Sequence, residues 1–276
     1  MEYKIIADSS ADILEIDGAS YGTVPMKIIT DDKEYVDDCN LNVCEMISDL
    51  SKYKGKSQSS CPNVNEWKKA FEGAKKVICI TISSALSGSY NSACLALEDY
   101  IKNNPDREGF VIDTLSAGPE ILLIIEKLIE FISEKLSIEE IKKRIEEYKK
   151  KTHLLFCLES MKNLANNGRI SQASAKVAGI LGIRAVGKAS NEGTLEMVSK
   201  ARGEKNSIGE LIKAMIDNGF NGGKVKIHHC ENSKAAAKLF EKIREMFPKS
   251  EIEINETRAL CSFYAESGGL IVGYEG

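Results

Sequence analysis

The chain has 276 residues, 43% hydrophobic and 28% charged, and 37 Lys and Arg against 41 Asp and Glu leave a formal net charge of −4. That balance belongs to a globular chain with a sizeable core, and it excludes disorder, collagen-like repeats and a disulfide-stapled miniprotein. With no basic excess to condense on phosphate backbones, nucleic acid is not an expected partner.

In chain order, residues 3–7 read as a short apolar strand that ends in the capping-rich turn Asp8-Ser9-Ser10-Ala11-Asp12. Residues 23–29 read as a second strand, with Asp31-Asp32-Lys33 as a hairpin-type turn. Residues 43–53 and 65–74 place apolar side chains three and four apart, the helical period. Residues 76–82 are nearly all apolar, as a strand covered on both faces of a parallel sheet must be. A Ser/Gly turn follows, then a helix over 90–101, a buried strand over 110–114, and helices over 120–134 and 138–150. The alternation predicts a doubly wound α/β domain.

The charged run 142–151 marks a boundary, dividing the chain into a domain over 1–151 and a second over 152–276. A strand-like segment at 154–158 is followed by 161–166 and the loop 167–171, and further strand-like segments at 195–198, 224–228, 252–254 and 270–272 are interrupted by helices near 208–217 and 234–247. This predicts a second α/β domain with some antiparallel pairing. Cys79 and Cys157 sit inside apolar runs and read as small hydrophobes; no CxxC or clustered Cys/His pattern calls for zinc. The opening MEYKIIADSS carries no charged leader before a long apolar segment, and the longest apolar stretch, 121–125, is too short to span a bilayer. A reduced, cytoplasmic setting is expected.

Chemistry concentrates in two hydroxyl clusters. Ser83-Ser84-Ala85-Leu86-Ser87-Gly88-Ser89-Tyr90-Asn91 follows a strand and precedes a helix, where free N–H groups and a positive dipole end suit an anion. The same serines could equally serve only to cap the helix and shape the turn. Ser57-Gln58-Ser59-Ser60-Cys61-Pro62 is the second cluster, followed by Asn63 or Asn65 as an N-cap. There is no GxSxG elbow, no P-loop and no GxGxxG after a strand. His153, His228 and His229 all lie outside glycine-rich or loop-like contexts, which disfavours a Ser/His/Asp triad. Asp8 and Asp113 each end a strand and could hold a metal or cap a helix, with capping the expected role. The chain looks built to hold an anion, without machinery to attack one.

Together these segments resemble the DegV family across essentially the whole chain. The resemblance is carried by Asp8-Ser9-Ser10-Ala11-Asp12, by Ser59-Ser60-Cys61-Pro62 with Glu66-Trp67, and by Ser83 to Asn91. It continues through Val111-Ile112-Asp113-Thr114, Asn167-Gly168-Arg169-Ile170-Ser171, an Ala201-Arg202 turn and Gly268-Gly269. It implies two α/β domains, the first parallel and the second mixed, enclosing a long-chain fatty acid in a tunnel between them. It also implies a lipid-presenting subunit, without a cofactor, for a separate ATP-dependent fatty acid kinase, with transient membrane contact for lipid exchange. By resemblance Ser59 and Ser87 hold the carboxylate, Ser60, Gly88 and Tyr264 shape the head-group pocket, and Arg169 and Arg202 face the kinase. The family's threonine is Ser59 here, its glutamine is Cys61, and a histidine of many members is Tyr264. Tyrosine keeps a donor but carries no charge near neutral pH. The alternatives are a serine-dependent hydrolase or acyl transferase using the 83–89 loop, and a module with no ligand.

Overall fold

The computed structural model describes residues 3–174 and 182–276. Among these the strands form three sheets. The first is parallel throughout, in the order β2-β1-β6-β7, built from β1 (Tyr3–Asp8), β2 (Tyr21–Val24), β6 (Lys76–Thr81) and β7 (Glu108–Asp113). Successive side chains of a strand point to opposite faces, and β1 uses both. Ile6 packs with Trp67 and Phe71 of α2 (Val64–Phe71) and Ala93 and Leu97 of α3 (Ser89–Asn103). Its neighbour Ile5 packs with Ile121 and Ile124 of α4 (Pro119–Ser133) and Ile141 of α5 (Ile138–Lys149). Helices on both faces explain why β6 is buried at five of its six positions, the doubly wound arrangement the sequence implied.

The second sheet has six strands in the order β10-β9-β8-β13-β11-β12. They are β8 (Thr152–Leu158), β9 (Ile183–Ala189), β10 (Leu195–Arg202), β11 (Lys224–His229), β12 (Glu251–Glu256) and β13 (Leu270–Glu275). All neighbours are antiparallel except β11 and β12. Leu155, Ile227 and Val272 face helices Glu204–Asp217 (α7) and Ser233–Met246 (α8), meeting Leu211, Met215 and Leu239. Leu154, Phe156, Leu158 and Ile271 face the other way, toward the first half of the chain.

A small antiparallel sheet, β4-β3-β5, is made from β3 (Lys27–Ile29), β4 (Glu34–Val36) and β5 (Gln58–Ser60). With α1 (Val43–Lys52) it packs Met26, Ile28 and Met46 against Ala259, Leu260 and Phe263 of a later helix, α9 (Ala259–Ala265). The halves also meet where α4 starts. A Cβ on Gly273 would fall 2.5 Å from the Glu120 nitrogen and 2.6 Å from the Pro119 carbonyl carbon, so only glycine lets β13 approach that backbone.

Four expectations need correcting. The predicted strand over 23–29 is two strands in different sheets, because Pro25 lacks the N–H that a continuous ladder requires. Ala201 and Arg202 are not a turn but the end of β10, paired with Arg184 and Ile183, and the chain turns at Gly203 with φ +77°. Strand β9 and helix α9 were not anticipated, and β10 runs four residues past the predicted segment. The hairpin turn does form, joining β3 and β4, with the Thr30 N–H donating to the Lys33 carbonyl at 2.9 Å as its closing bond. Asn63 is the N-cap of α2, in a capping box with Glu66. Among the described residues no helix is long and apolar enough to cross a membrane.

Candidate functional site

Between the inward face of the six-stranded sheet and α9 on one side, and the small sheet with the loops after β6 and β7 on the other, lies an apolar cavity, of the concave, mostly apolar kind that takes small molecules. Its walls are apolar: Leu154, Phe156 and Leu158 from β8, Ile271 from β13, and Leu195 and Leu260. Three hydrogen-bonding side chains line it, Ser59, Arg169 and Tyr264. Ser59 Oγ and the Tyr264 hydroxyl share a hydrogen bond of 2.6 Å across 205 positions of sequence. Burial pushes the Tyr264 phenol above its ordinary pKa, against opposing effects of the Ser59 bond and the Arg169 charge. It therefore stays a neutral donor at neutral pH.

The two hydroxyl-rich loops are brought together. A Cβ built on Gly88 would stand 3.3 Å from Cys61 Sγ, so glycine keeps that approach open. The loop after α6 (Lys162–Asn166) pins both. Asn167 Nδ2 donates to the Ser57 carbonyl at 3.2 Å, and Arg169 Nε donates to the Leu86 carbonyl at 3.1 Å. A second Arg169 donor goes to the Asn167 carbonyl. Arg169, expected to face a partner, is thus half-buried with its side chain on the cavity wall.

The other expected residues are placed as follows. Ser87 follows cavity-lining Leu86 and is half-buried, its Oγ accepting from Ser89 N–H at 3.3 Å. Ser60 is half-buried, with a long 3.5 Å contact to the Cys61 carbonyl. Gly88 is exposed and starts α3. Arg202 is exposed and does not line the cavity.

The remaining serines of the 83–89 loop are structural anchors. Ser83 Oγ donates to the Gly193 carbonyl at 2.7 Å, and Ser89 Oγ donates to Asp8 Oδ2 at 2.6 Å. Asp8, fully buried, also receives the Ile82 N–H at 3.1 Å and the Ser10 hydroxyl. Burial raises its pKa, and these donors oppose the rise. Asp113 caps a turn, accepting from Ser84 N–H at 3.0 Å and Leu115 N–H at 3.1 Å.

His228 Nδ1 sits 2.9 Å from Asp12 Oδ2, both side chains inaccessible, and Arg258 N–H donates to Asp12 Oδ1 at 2.8 Å. A dyad of this kind is what a triad would need. Yet no serine is hydrogen-bonded to His228 among the described residues, and its Nε2 lacks a partner there. The dyad instead ties β11 to the turn after β1. Sequence reading missed it because Asp12 and His228 are separated by 216 positions. Among the described residues no three His, Cys, Asp or Glu side chains converge as a metal site.

The comparisons with known proteins bear on this geometry. The family model described as "Uncharacterised protein, DegV family" matches residues 2–275. A DegV domain-containing protein of Streptococcus pneumoniae is 43% identical, over 100% of this chain and 99% of its own length. The crystal structure of a DegV family protein from Eubacterium eligens, loaded with heptadecanoic acid, is 38% identical and superposes with a TM-score of 0.97 over 99% of both chains. The Fatty Acid Kinase (Fak) B3 protein of Streptococcus pneumoniae, loaded with linoleic acid, is 43% identical. It superposes with a TM-score of 0.97, over 100% of this chain and 99% of that one.

Proposed function

This chain belongs to the DegV family, and from that premise we propose that it binds one long-chain fatty acid in the apolar cavity and presents its carboxylate to a separate ATP-dependent kinase. The observation that carries the reading is an apolar cavity lined by the hydrogen-bonded Ser59–Tyr264 pair and by Arg169. The similarity to two chains crystallised with heptadecanoic and linoleic acid supports it. The reading divides the chain at 151/152 into the two units whose sheets face each other across the cavity. It puts the carrier in the cytoplasm, where ATP is available.

The chemistry of the walls suits this role. Burying methylenes contributes about 0.8 kcal/mol each, so a chain of roughly fifteen supplies on the order of 12 kcal/mol before ordering costs. Hydroxyl donors add about 1.5–3 kcal/mol each for a charged acceptor and fix the head group in place. In this reading Ser59, Ser87 and Tyr264 hold the carboxylate with neutral donors. Ser60 and Gly88 shape the loop around it. Two of the Arg169 donors are already taken by backbone carbonyls, so it supplies positive charge without clamping both oxygens in a bidentate fork. One carboxylate oxygen then remains free to attack the γ-phosphorus of ATP, forming the acyl phosphate as ADP leaves. Exposed Arg202 belongs in this scheme to the surface the kinase meets.

The test is to incubate oleate-loaded protein with an ATP-dependent fatty acid kinase and radiolabelled ATP. The reading expects labelled acyl phosphate only when the loaded protein is present, and a reduction of tenfold or more with Ser87→Ala. Bound oleate that the kinase never phosphorylates would refute the presenting role. Undiminished labelling with Ser87→Ala would remove that serine from the head-group site.

A further inference from the structure

On β8 the side chains of Leu158, Phe156 and Leu154 all line the cavity, and at about 3.3 Å per residue the stripe runs roughly 13 Å along its wall. Its Leu158 end lies beside the head-group residues. Ser160 Oγ donates to Glu266 at 2.9 Å and Asn163 Nδ2 donates to the Phe263 carbonyl at 2.8 Å, holding this end of the strand against the segment that carries Tyr264. The Leu154 end is the far end. Two residues beyond it the apolar stripe gives way to Thr152, whose hydroxyl donates to buried Glu120 at 2.7 Å, and Ser116 donates to the same carboxyl group.

Leu154 is 3% exposed and lines two spaces at once. On one side is the apolar cavity; on the other is a polar cleft lined by Glu120, Lys149, Thr152, His153 and Asn191. Resting on the fatty-acid reading above, we infer that Leu154 is the stop against which the terminal methyl of the acyl chain rests, so that this one side chain sets the longest chain the site accepts. Up to the stop, each further buried methylene raises affinity about fourfold. Past it, added methylenes meet either the leucine itself or a cleft whose polar groups return little of that gain.

The experiment measures Kd for a ladder of saturated fatty acids from lauric to behenic, using the native protein and the variants Leu154→Ala and Leu154→Phe. Circular dichroism checks folding. The native protein should show affinity climbing along the ladder and then breaking off. The break should move to longer chains in Leu154→Ala and to shorter ones in Leu154→Phe. If Leu154→Ala does not fold, Leu154→Val takes its place, with the same direction and a smaller shift. A native ladder with no break, or a break unmoved in the folded variants, overturns the stop. A native protein that binds no member of the ladder overturns the fatty-acid reading itself, a separate result.

Discussion

In the proposed function, Ser59 and Tyr264 form the contact on which head-group recognition turns. Their 2.6 Å bond links strand β5 to the helix α9 near the end of the chain, and a carboxylate entering there would exchange that bond for two of its own. Ser59→Ala and Tyr264→Phe should each weaken oleate binding by about 1.5–3 kcal/mol, tenfold or more in Kd. Because the two side chains share a partner, the double variant should lose less than the sum of the single losses. Titration calorimetry reads both effects, and an unchanged Kd in either single variant would remove that residue from the site. The hydroxyl clusters were visible in the sequence, though serines crowded between a strand and a helix suit a helix cap as well as an anion site. Which of those serines face the ligand was not visible. Ser83 and Ser89 bond to Gly193 and Asp8, partners that only the fold brings near. Asn167 and Arg169, which lock the loops through the Ser57 and Leu86 carbonyls, stood out only through the family motif they share.

Helix α4 connects the elements of the two halves, and its first turn holds Glu120, 5% exposed. Burial pushes its carboxyl from an ordinary 4.5 up to about 7, with the Ser116 and Thr152 hydroxyls opposing the rise. A carboxyl whose folded pKa is raised binds its proton more tightly folded than unfolded. The stability it contributes is therefore present below about 4.5 and lost progressively as pH rises to about 7. Glu120→Gln, uncharged at every pH, should remove that decline and gain on the order of 3 kcal/mol relative to the native protein at pH 8 against pH 4. Denaturant unfolding of both proteins at the two pH values measures it, and parallel pH profiles would contradict the assignment. Elements with strong caps and long apolar periods were legible: α2 with its Asn63–Glu66 box and α5 with its Ser137–Glu140 box, and β6 with its run of four apolar residues, 77–80. Elements whose identity depends on a distant partner were not. β5 is Gln-Ser-Ser, with no alternation to read, and becomes a strand only by pairing with β3. β9 exists because β8 and β10 flank it.

Among the described residues, the inward face of the six-stranded sheet meets the small sheet and the loops of the first half of the chain around an apolar space. Polar latches fasten them: Asp12 to His228 and to the Arg258 backbone, and Asp37 to the Arg258 side chain at 3.0 Å. Burial lifts Asp37 to about 6, with the Arg258 charge opposing it. The order of elements and the change of pattern after residue 151 made two α/β units legible from the sequence. The cavity was legible only through the family resemblance. Its lining residues, from Met26 to Ile271, are scattered over the chain and look like ordinary core positions until the fold brings them together. The hydrophobic share of 43% thus lines an interior cavity as well as filling packed cores. The central claim is that this interior holds a fatty acid. The most direct measurement is mass spectrometry of lipid extracted from freshly purified protein, with palmitate and oleate added back to any lipid-free fraction. A long-chain fatty acid at close to one per chain is the predicted result; an extract without fatty acid, from protein that also binds neither added acid, would contradict it.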